Sequence, residues 1–368
     1  MEGVVLEPPP LPRRRERWWL HVLLFVATLA TTTFIGAFFA PNIDPTLAKE
    51  PLSRLLGIGA LNYSLPLLAI LFAHEMGHYL TCLWYGVDAS PPYFIPFPLP
   101  PPFLSSGTLG AFIRIREPFR DRRQLFDVGV GGPIAGFVVA IPVIVYGLVN
   151  TRSNLDPPPI GSPIFGYPLA ISLLQKLFLG ETFTSLTVYE HPALMAGWFG
   201  LLVTALNLLP VGQLDGGHAL YAVMGRHHRK LAIPLFVALG LLGFQSPAWW
   251  VWMVIILIVV GVGHPPVREE SVPLGGKRRL TALAVLAILV LCFTPNPIWI
   301  YEGESPSRRP PREGRGTVVH QLDLHRGAKD SGRDRHAVGA KRGGEPVEAR
   351  LRDVGPRGTV EPGTPPTR

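Results

Sequence analysis

The sequence predicts an all-α polytopic membrane protein of about seven transmembrane helices, with a short β-hairpin or re-entrant flap and a disordered C-terminal tail. The chain has 368 residues, is 48% hydrophobic and has a mean hydropathy of +0.28, which is high for a soluble protein. Long apolar runs recur along it, and the basic residues fall mostly between these runs. The pI near 9.7 therefore reflects membrane topology, and we expect a lipid bilayer rather than nucleic acid as its partner.

Seven apolar stretches are candidate spans, because about 20 apolar residues in a helix cross a bilayer. The fifth and sixth are short and would also fit one re-entrant pair. A further stretch, 163–179, is interrupted by Pro168 and would suit an interfacial or half span. The seven stretches are 19–40, 61–85, 127–149, 193–213, 231–245, 248–263 and 280–299.

The basic residues predict one orientation in the membrane. Under the positive-inside rule, residues 1–17 form a cytoplasmic N-terminal segment, and the second and fourth spans run inward. No transit-peptide composition precedes the first span, which favours a bacterial inner membrane over an organelle. The clusters that agree with this topology lie at 13–17, 114–123, 226–230 and 268–279.

Residues 301–368 differ from the rest of the chain. They contain no apolar run and are rich in Gly, Pro and Arg. Such a segment buries too little apolar surface to offset the entropy lost on ordering. We therefore expect a disordered polar tail after a membrane domain at 18–300.

The segment after the second span predicts a flap. Residues 90–103 are apolar but proline-rich, so they cannot form a helix and would dip into the membrane instead. Residues 110–116 then alternate apolar and basic side chains, which is typical of a strand. We expect an exposed edge here, at Phe112, Ile113 and Ile115, to pair with an extended peptide.

The second span contains the motif His74-Glu75-Met76-Gly77-His78. Two histidines four residues apart lie on one face of a helix, about 6 Å apart along its axis. This spacing allows both imidazoles to bind one zinc ion, with the adjacent glutamate as general base. Because such side chains are costly within lipid, the motif predicts a functional site there.

A hydrolytic zinc site needs a third protein ligand, and Asp215 is the best candidate. It follows the inner end of the fourth span, where Pro210 and several glycines predict a broken helix end. The second and fourth spans both run inward, so Asp215 and His74 lie at similar depths. Cys82 would be about 12 Å from His74 along the helix axis, which is too far, and His191 lies at the opposite end of its span.

These residues resemble the motifs of the site-2 protease family of intramembrane zinc metalloproteases, which are peptidase M50-like. The resemblance rests on HEMGH at 74–78, on NLLPVGQLDGGH at 207–218 and on the glycine-rich segment 129–136, and covers about residues 60–225. One departure is Gly212, where the family commonly has proline. The loop before the aspartate span has about forty residues, so we expect a compact form without a PDZ domain.

The resemblance implies that His74, His78 and Asp215 bind one Zn²⁺ per chain and that Glu75 is the catalytic acid/base. Asn207 would hold the substrate or polarise its carbonyl, and the alternative for this residue is a plain interhelical hydrogen bond. The expected function is hydrolysis of peptide bonds in transmembrane protein substrates.

Two alternatives remain at this point. One is a catalytically inactive membrane scaffold or transporter that retains the fold. The other is a membrane-anchored zinc peptidase with Glu117 as its third ligand. Among the other polar residues, we expect His218 to be an interfacial or outer-sphere residue and His227 and His228 to lie in a solvated basic loop. The glycines of the third span are expected to permit close helix packing.

Overall fold

The computed structural model describes residues 16–39, 50–99, 105–151, 159–180, 185–187, 190–261 and 263–303. The predicted tail beyond residue 303 and most of the N-terminal segment lie outside these residues. Within them, the helices are α1 (Trp18–Gly36), α2 (Pro51–Trp84), α3 (Arg122–Asn150), α4 (Leu169–Leu179), α5 (Pro192–Asn207), α6 (Asp215–Met224), α7 (Arg229–Leu242), α8 (Ala248–Ile255) and α9 (Gly276–Cys292). The strands are β1 (Tyr93–Pro96), β2 (Thr108–Phe112), β3 (Pro163–Gly166), β4 (Ser185–Thr187) and β5 (Ile298–Ile300).

Three of the described helices, α1, α2 and α3, are long and apolar enough to cross a membrane. They correspond to the first three predicted spans and fit an integral membrane protein. The predicted count of seven spans is not confirmed. The other four stretches contain α5, α7, α8 and α9, with 16, 14, 8 and 17 residues.

Proline accounts for the early end of α5, which stops at Asn207, before Pro210. The helix α8 begins directly after Pro247, as the predicted span does, and continues as a π-helical segment, Ile256–Val260. A helix of about 16 residues is about 24 Å long, which is less than the roughly 30 Å hydrocarbon core of a bilayer.

The helix α3 lies at the centre of the bundle and packs against α2, α5 and α6. Its N-terminus is capped by Asp121, whose Oδ1 accepts hydrogen bonds from the backbone N–H groups of Arg123 and Gln124 at 2.7 and 3.0 Å. Near the same end, Arg278 of α9 pairs with Asp127 of α3 at 2.7 Å. The helix that faces the candidate site is therefore fixed at its N-terminal end.

The strands β1 and β2 form an antiparallel hairpin with a bulge between Phe94 and Pro96. The predicted hairpin is thus present, but its second strand ends at Phe112 rather than continuing through 116. Ile113 follows the strand, and Ile115 forms an isolated bridge with Ala89.

A second sheet was not predicted. It has the order β4-β3-β5 and is antiparallel throughout. Pro168 does not break a span here. It precedes the first residue of α4, where proline is compatible with a helix because the first N–H groups have no partner within the helix.

Candidate metal centre

The helix α2 carries His74 and His78 on one face, and both side chains are buried. Their Nε2 atoms each lie 3.2 Å from Oδ2 of Asp215, the first residue of α6. The ligand atoms of these three residues all lie within 4.8 Å of one another. The structure therefore brings together the two histidines and the aspartate that the sequence predicted, in a position to bind a metal ion.

A tight turn between α5 and α6 places Asp215. Two glycines of this turn pack closely against the backbone. A Cβ at Gly216 would lie 1.9 Å from the oxygen of Leu208, and one at Gly217 would lie 2.3 Å from the oxygen of Gly212. The Gly-Gly pair after Asp215 is therefore required by the backbone contact. This agrees with the broken helix end predicted around Pro210.

The departure at Gly212 has a conformational explanation. Gly212 has φ = +58°, in the left-handed region. Proline fixes φ near −65°, so it is incompatible with this turn. The turn before Asp215 therefore has a backbone conformation at residue 212 that proline cannot adopt.

Glycines of α3 face the histidines of α2 and α6. A Cβ at Gly132 would lie 2.1 Å from Nε2 of His78, and one at Gly136 would lie 3.1 Å from Nδ1 of His74. A Cβ at Gly129 would lie 2.9 Å from Cβ of His218. The glycines thus do more than permit close packing of helices, because they leave the volume in which the imidazoles sit.

The orientation of His78 is fixed by a second contact. Its Nδ1 donates a hydrogen bond to the backbone oxygen of Val128 at 2.7 Å. A carbonyl can only accept, so Nδ1 carries the proton, and the lone pair on Nε2 of the neutral ring is available to a metal ion held between it and Asp215. This outer contact resembles those that orient histidine ligands in metal sites.

Glu75 and Asn207 lie at the same centre. Glu75 is buried between the two histidines on α2, and the backbone of Ile113 is close enough to stabilise the charge of its carboxylate. Asn207 is the last residue of α5, and its Nδ2 lies 3.2 Å from Nε2 of His74. A carboxylate and an amide therefore flank the three candidate ligands.

The donor set fits zinc. Two imidazole nitrogens and one carboxylate oxygen are three typical zinc ligands and leave one tetrahedral position open. Ligand atoms at about 2.0–2.1 Å from a tetrahedral ion are separated by about 3.3 Å, which is close to the observed 3.2 Å between Nε2 of each histidine and Oδ2 of Asp215.

The other candidate ligands lie elsewhere. Glu117 is exposed in the loop before α3 and is not part of the cluster. Cys82 packs in a small apolar cluster with Val128, and His191 caps the N-terminus of α5. The expectation that His228 is solvated was wrong, because His228 is buried. His218 forms a hydrogen bond with His264, a residue that the sequence did not indicate as part of the site.

The fold and the site define a class: a helical membrane protein with an HExxH-plus-aspartate cluster that is positioned to bind a metal ion. A family model described as Peptidase family M50 matches residues 62–242. The chain is 29% identical over 309 residues to the probable zinc metalloprotease EGY1, chloroplastic, of Arabidopsis thaliana, covering 79% of this chain and 55% of that protein. It is 30% identical to EGY1 of Oryza sativa subsp. japonica, covering 79% and 52%, and 30% identical to EGY2 of Oryza sativa subsp. indica, covering 62% and 41%.

The chain belongs to peptidase family M50, which confirms the site-2 protease-like resemblance. It spans about half the length of the curated relatives EGY1 that it matches. Those relatives are named as zinc metalloproteases, in agreement with the donor set. They are also named as chloroplastic plant proteins, so the comparisons do not support the bacterial inner membrane favoured by the sequence.

Proposed function

We propose that this chain is an intramembrane zinc metalloprotease that hydrolyses peptide bonds of transmembrane protein substrates. The convergence of His74, His78 and Asp215 beside a buried Glu75 is the observation that carries the proposal. The three ligand residues would hold one Zn²⁺ within the membrane domain at 18–300. The N-terminus would face the cytoplasm, as the basic clusters predict.

A zinc ion at this site would supply Lewis acidity toward the scissile carbonyl and toward a bound water. Glu75 would accept the proton of the attacking water and pass it to the leaving amine nitrogen. The burial of Glu75 on α2, between the two histidines in the sequence, supports this role. If Nε2 of His74 binds the metal, the Asn207 amide is free to donate to the substrate carbonyl.

A large cavity lies between α2, α5 and α8. Its volume is about 1110 Å³, and its walls include Leu71 of α2, Leu206 of α5 and Trp252 of α8. Leu71 lies about one turn before His74, and Leu206 precedes Asn207. An apolar substrate segment in this cavity would lie against residues that are within one helical turn of His74 and Asn207 in the chain.

The strand β2 forms another wall of the cavity through Thr108, Leu109 and Gly110. Within the described residues, β2 pairs only with β1, so its second edge has no neighbouring strand. An unwound substrate segment would add to this edge by β-augmentation, with Phe112, Ile113 and Ile115 at the end nearest Glu75. Extension of the substrate would expose its carbonyls, which a helix keeps hydrogen-bonded.

A reconstituted assay tests the proposal. The purified chain in liposomes should cleave a model transmembrane substrate, lose this activity after treatment with a zinc chelator, and regain it when zinc is restored. A protein that retains no zinc and cleaves nothing would instead support an inactive scaffold or a transporter.

A further inference from the structure

Two histidines outside the proposed ligand set form a hydrogen-bonded pair beside the metal centre. Nδ1 of His218, in α6, lies 2.7 Å from Nε2 of His264, and Nδ1 of His264 lies 2.6 Å from the backbone oxygen of Pro265. His264 is buried, whereas His218 is partly exposed. Neither residue has a role in the mechanism described above.

The hydrogen-bond partners assign the protons of both rings. The oxygen of Pro265 can only accept, so Nδ1 of His264 carries a proton. Nε2 of a neutral His264 is then an acceptor, and Nδ1–H of His218 must donate to it. Nε2 of His218 is consequently left with an unshared lone pair.

Both rings are neutral near pH 7. Burial, together with the neighbouring His264, lowers the pKa of His218 to about 4. Burial also lowers the pKa of His264. The tautomers assigned from the hydrogen bonds are therefore those of the neutral pair.

His218 follows the proposed ligands in a row along α3. It lies three residues after Asp215, so both residues share one face of α6. On α3, His218 packs over Gly129 and His78 over Gly132, and positions three apart on a helix have Cβ atoms about 5–6 Å apart. The Cβ atom of His218 thus lies about one turn of α3 beyond the ring of His78.

The segment that carries His264 is fixed in place. The ring of Tyr221 stacks on His264 with centroids 4.4 Å apart, and its hydroxyl donates to Oε1 of Glu270 at 2.6 Å. The backbone N–H of Glu269 donates to the oxygen of Arg120 at 2.8 Å. These contacts attach the segment to α6 and to the loop before α3. Nε2 of His264 is therefore held in position to accept the hydrogen bond from His218.

We propose that His264 is a positioning residue, which holds His218 with its Nε2 available as a hydrogen-bond acceptor for water entering the metal centre. This inference rests on the proposed hydrolytic function. Glu75 removes one proton of the attacking water, and the other hydrogen needs an acceptor if the water is to be oriented. The partly exposed His218, one turn of α3 beyond His78, provides that acceptor.

The assigned tautomer is tested directly by ¹⁵N NMR of histidine-labelled, metal-free protein in nanodiscs. The ring signals of His218, identified by their loss in His218→Gln, should show a protonated Nδ1 and an unprotonated Nε2. In His264→Leu this preference should be lost. A protonated Nε2 on His218 in the wild type would overturn the proposal.

Cleavage kinetics test the role of the pair. His264→Leu should lower kcat about 10-fold, with zinc content and KM unchanged, as is typical for residues that orient a metal site. His264→Gln, whose Oε1 can replace Nε2 as acceptor, should restore kcat to within about 3-fold, whereas the shorter amide of His264→Asn should not. His227→Gln, at an exposed neighbouring histidine, is the control and should match the wild type.

Equal kcat values for the Gln and Asn variants would overturn the positioning role, even if the Leu variant failed to fold. Absence of cleavage by the wild type would instead overturn the proposed function, and with it the role given to the water. The NMR measurement does not depend on cleavage, so it separates an error in the histidine pair from an error in the function.

Discussion

Nε2 of His74 lies 3.2 Å from Oδ2 of Asp215, although the two residues are 141 positions apart in the chain. The contact joins the middle of α2 to the first residue of α6. It depends on the turn after α5 and on the glycines of α3, which make room for the imidazoles. Each of these features supports a separate prediction.

Asp215→Asn should weaken zinc binding at least about 100-fold, because the amide keeps the size of the side chain but loses the charge of a ligand. Zinc content after dialysis against a buffered zinc series measures the change. Asp88→Asn is the control, since Asp88 pairs with Arg116 at 3.1 Å outside the centre. Equal zinc affinity in the two variants would remove Asp215 from the ligand set.

Gly132→Ala should displace His78, because the new methyl group would lie 2.1 Å from its Nε2 atom. Both neighbours are on packed helices, so the clash cannot relax freely. We expect loss of bound zinc together with loss of cleavage. Gly276→Ala is the matched control, since no atom lies within 4 Å of the added carbon there. A Gly132→Ala protein with full zinc content would contradict the proposal that the His78 ring needs the space left by Gly132.

Gly212→Pro should destabilise the turn before Asp215, because φ = +58° is inaccessible to proline. The free energy of unfolding should fall by at least about 1 kcal/mol and by more than in Gly212→Ala. Thermal unfolding of the zinc-loaded proteins compares the three. A Gly212→Pro protein as stable as the wild type would show that the turn can adopt the form that proline requires.

Ile113→Pro should impair cleavage while zinc remains bound, because proline removes the backbone N–H at the end of the proposed substrate-pairing segment. Ile113→Ala keeps that N–H and should cleave within about 3-fold of the wild type. Cleavage rate and zinc content should be measured in parallel. Unchanged cleavage by the proline variant would exclude a role for this backbone segment.

The candidate centre was predictable because its signals are local. The spacing of His74 and His78 places both on one helix face, and Pro210 with the following glycines marks the helix end before Asp215. The prediction that Asp215 lies beside His74 and His78 followed from the similar depth of these residues in the predicted topology. It did not require knowledge of how the helices pack.

Features that depend on distant contacts were missed. The strands β3 and β5 are short, have no alternating pattern and pair across more than a hundred residues, so nothing local indicated a sheet. His264 reaches His218 only because α7 and α8 fold between them. His228 was expected in solvent, but Tyr221 packs against it.

The central claim is that Glu75 performs zinc-dependent hydrolysis at this centre, and Glu75→Gln tests it most directly. Wild type and variant, reconstituted with equal zinc content, should be compared on one transmembrane substrate. The amide cannot act as a general base, so cleavage should fall by at least about 100-fold while zinc stays bound. Equal cleavage by the two zinc-loaded proteins would contradict the proposed mechanism.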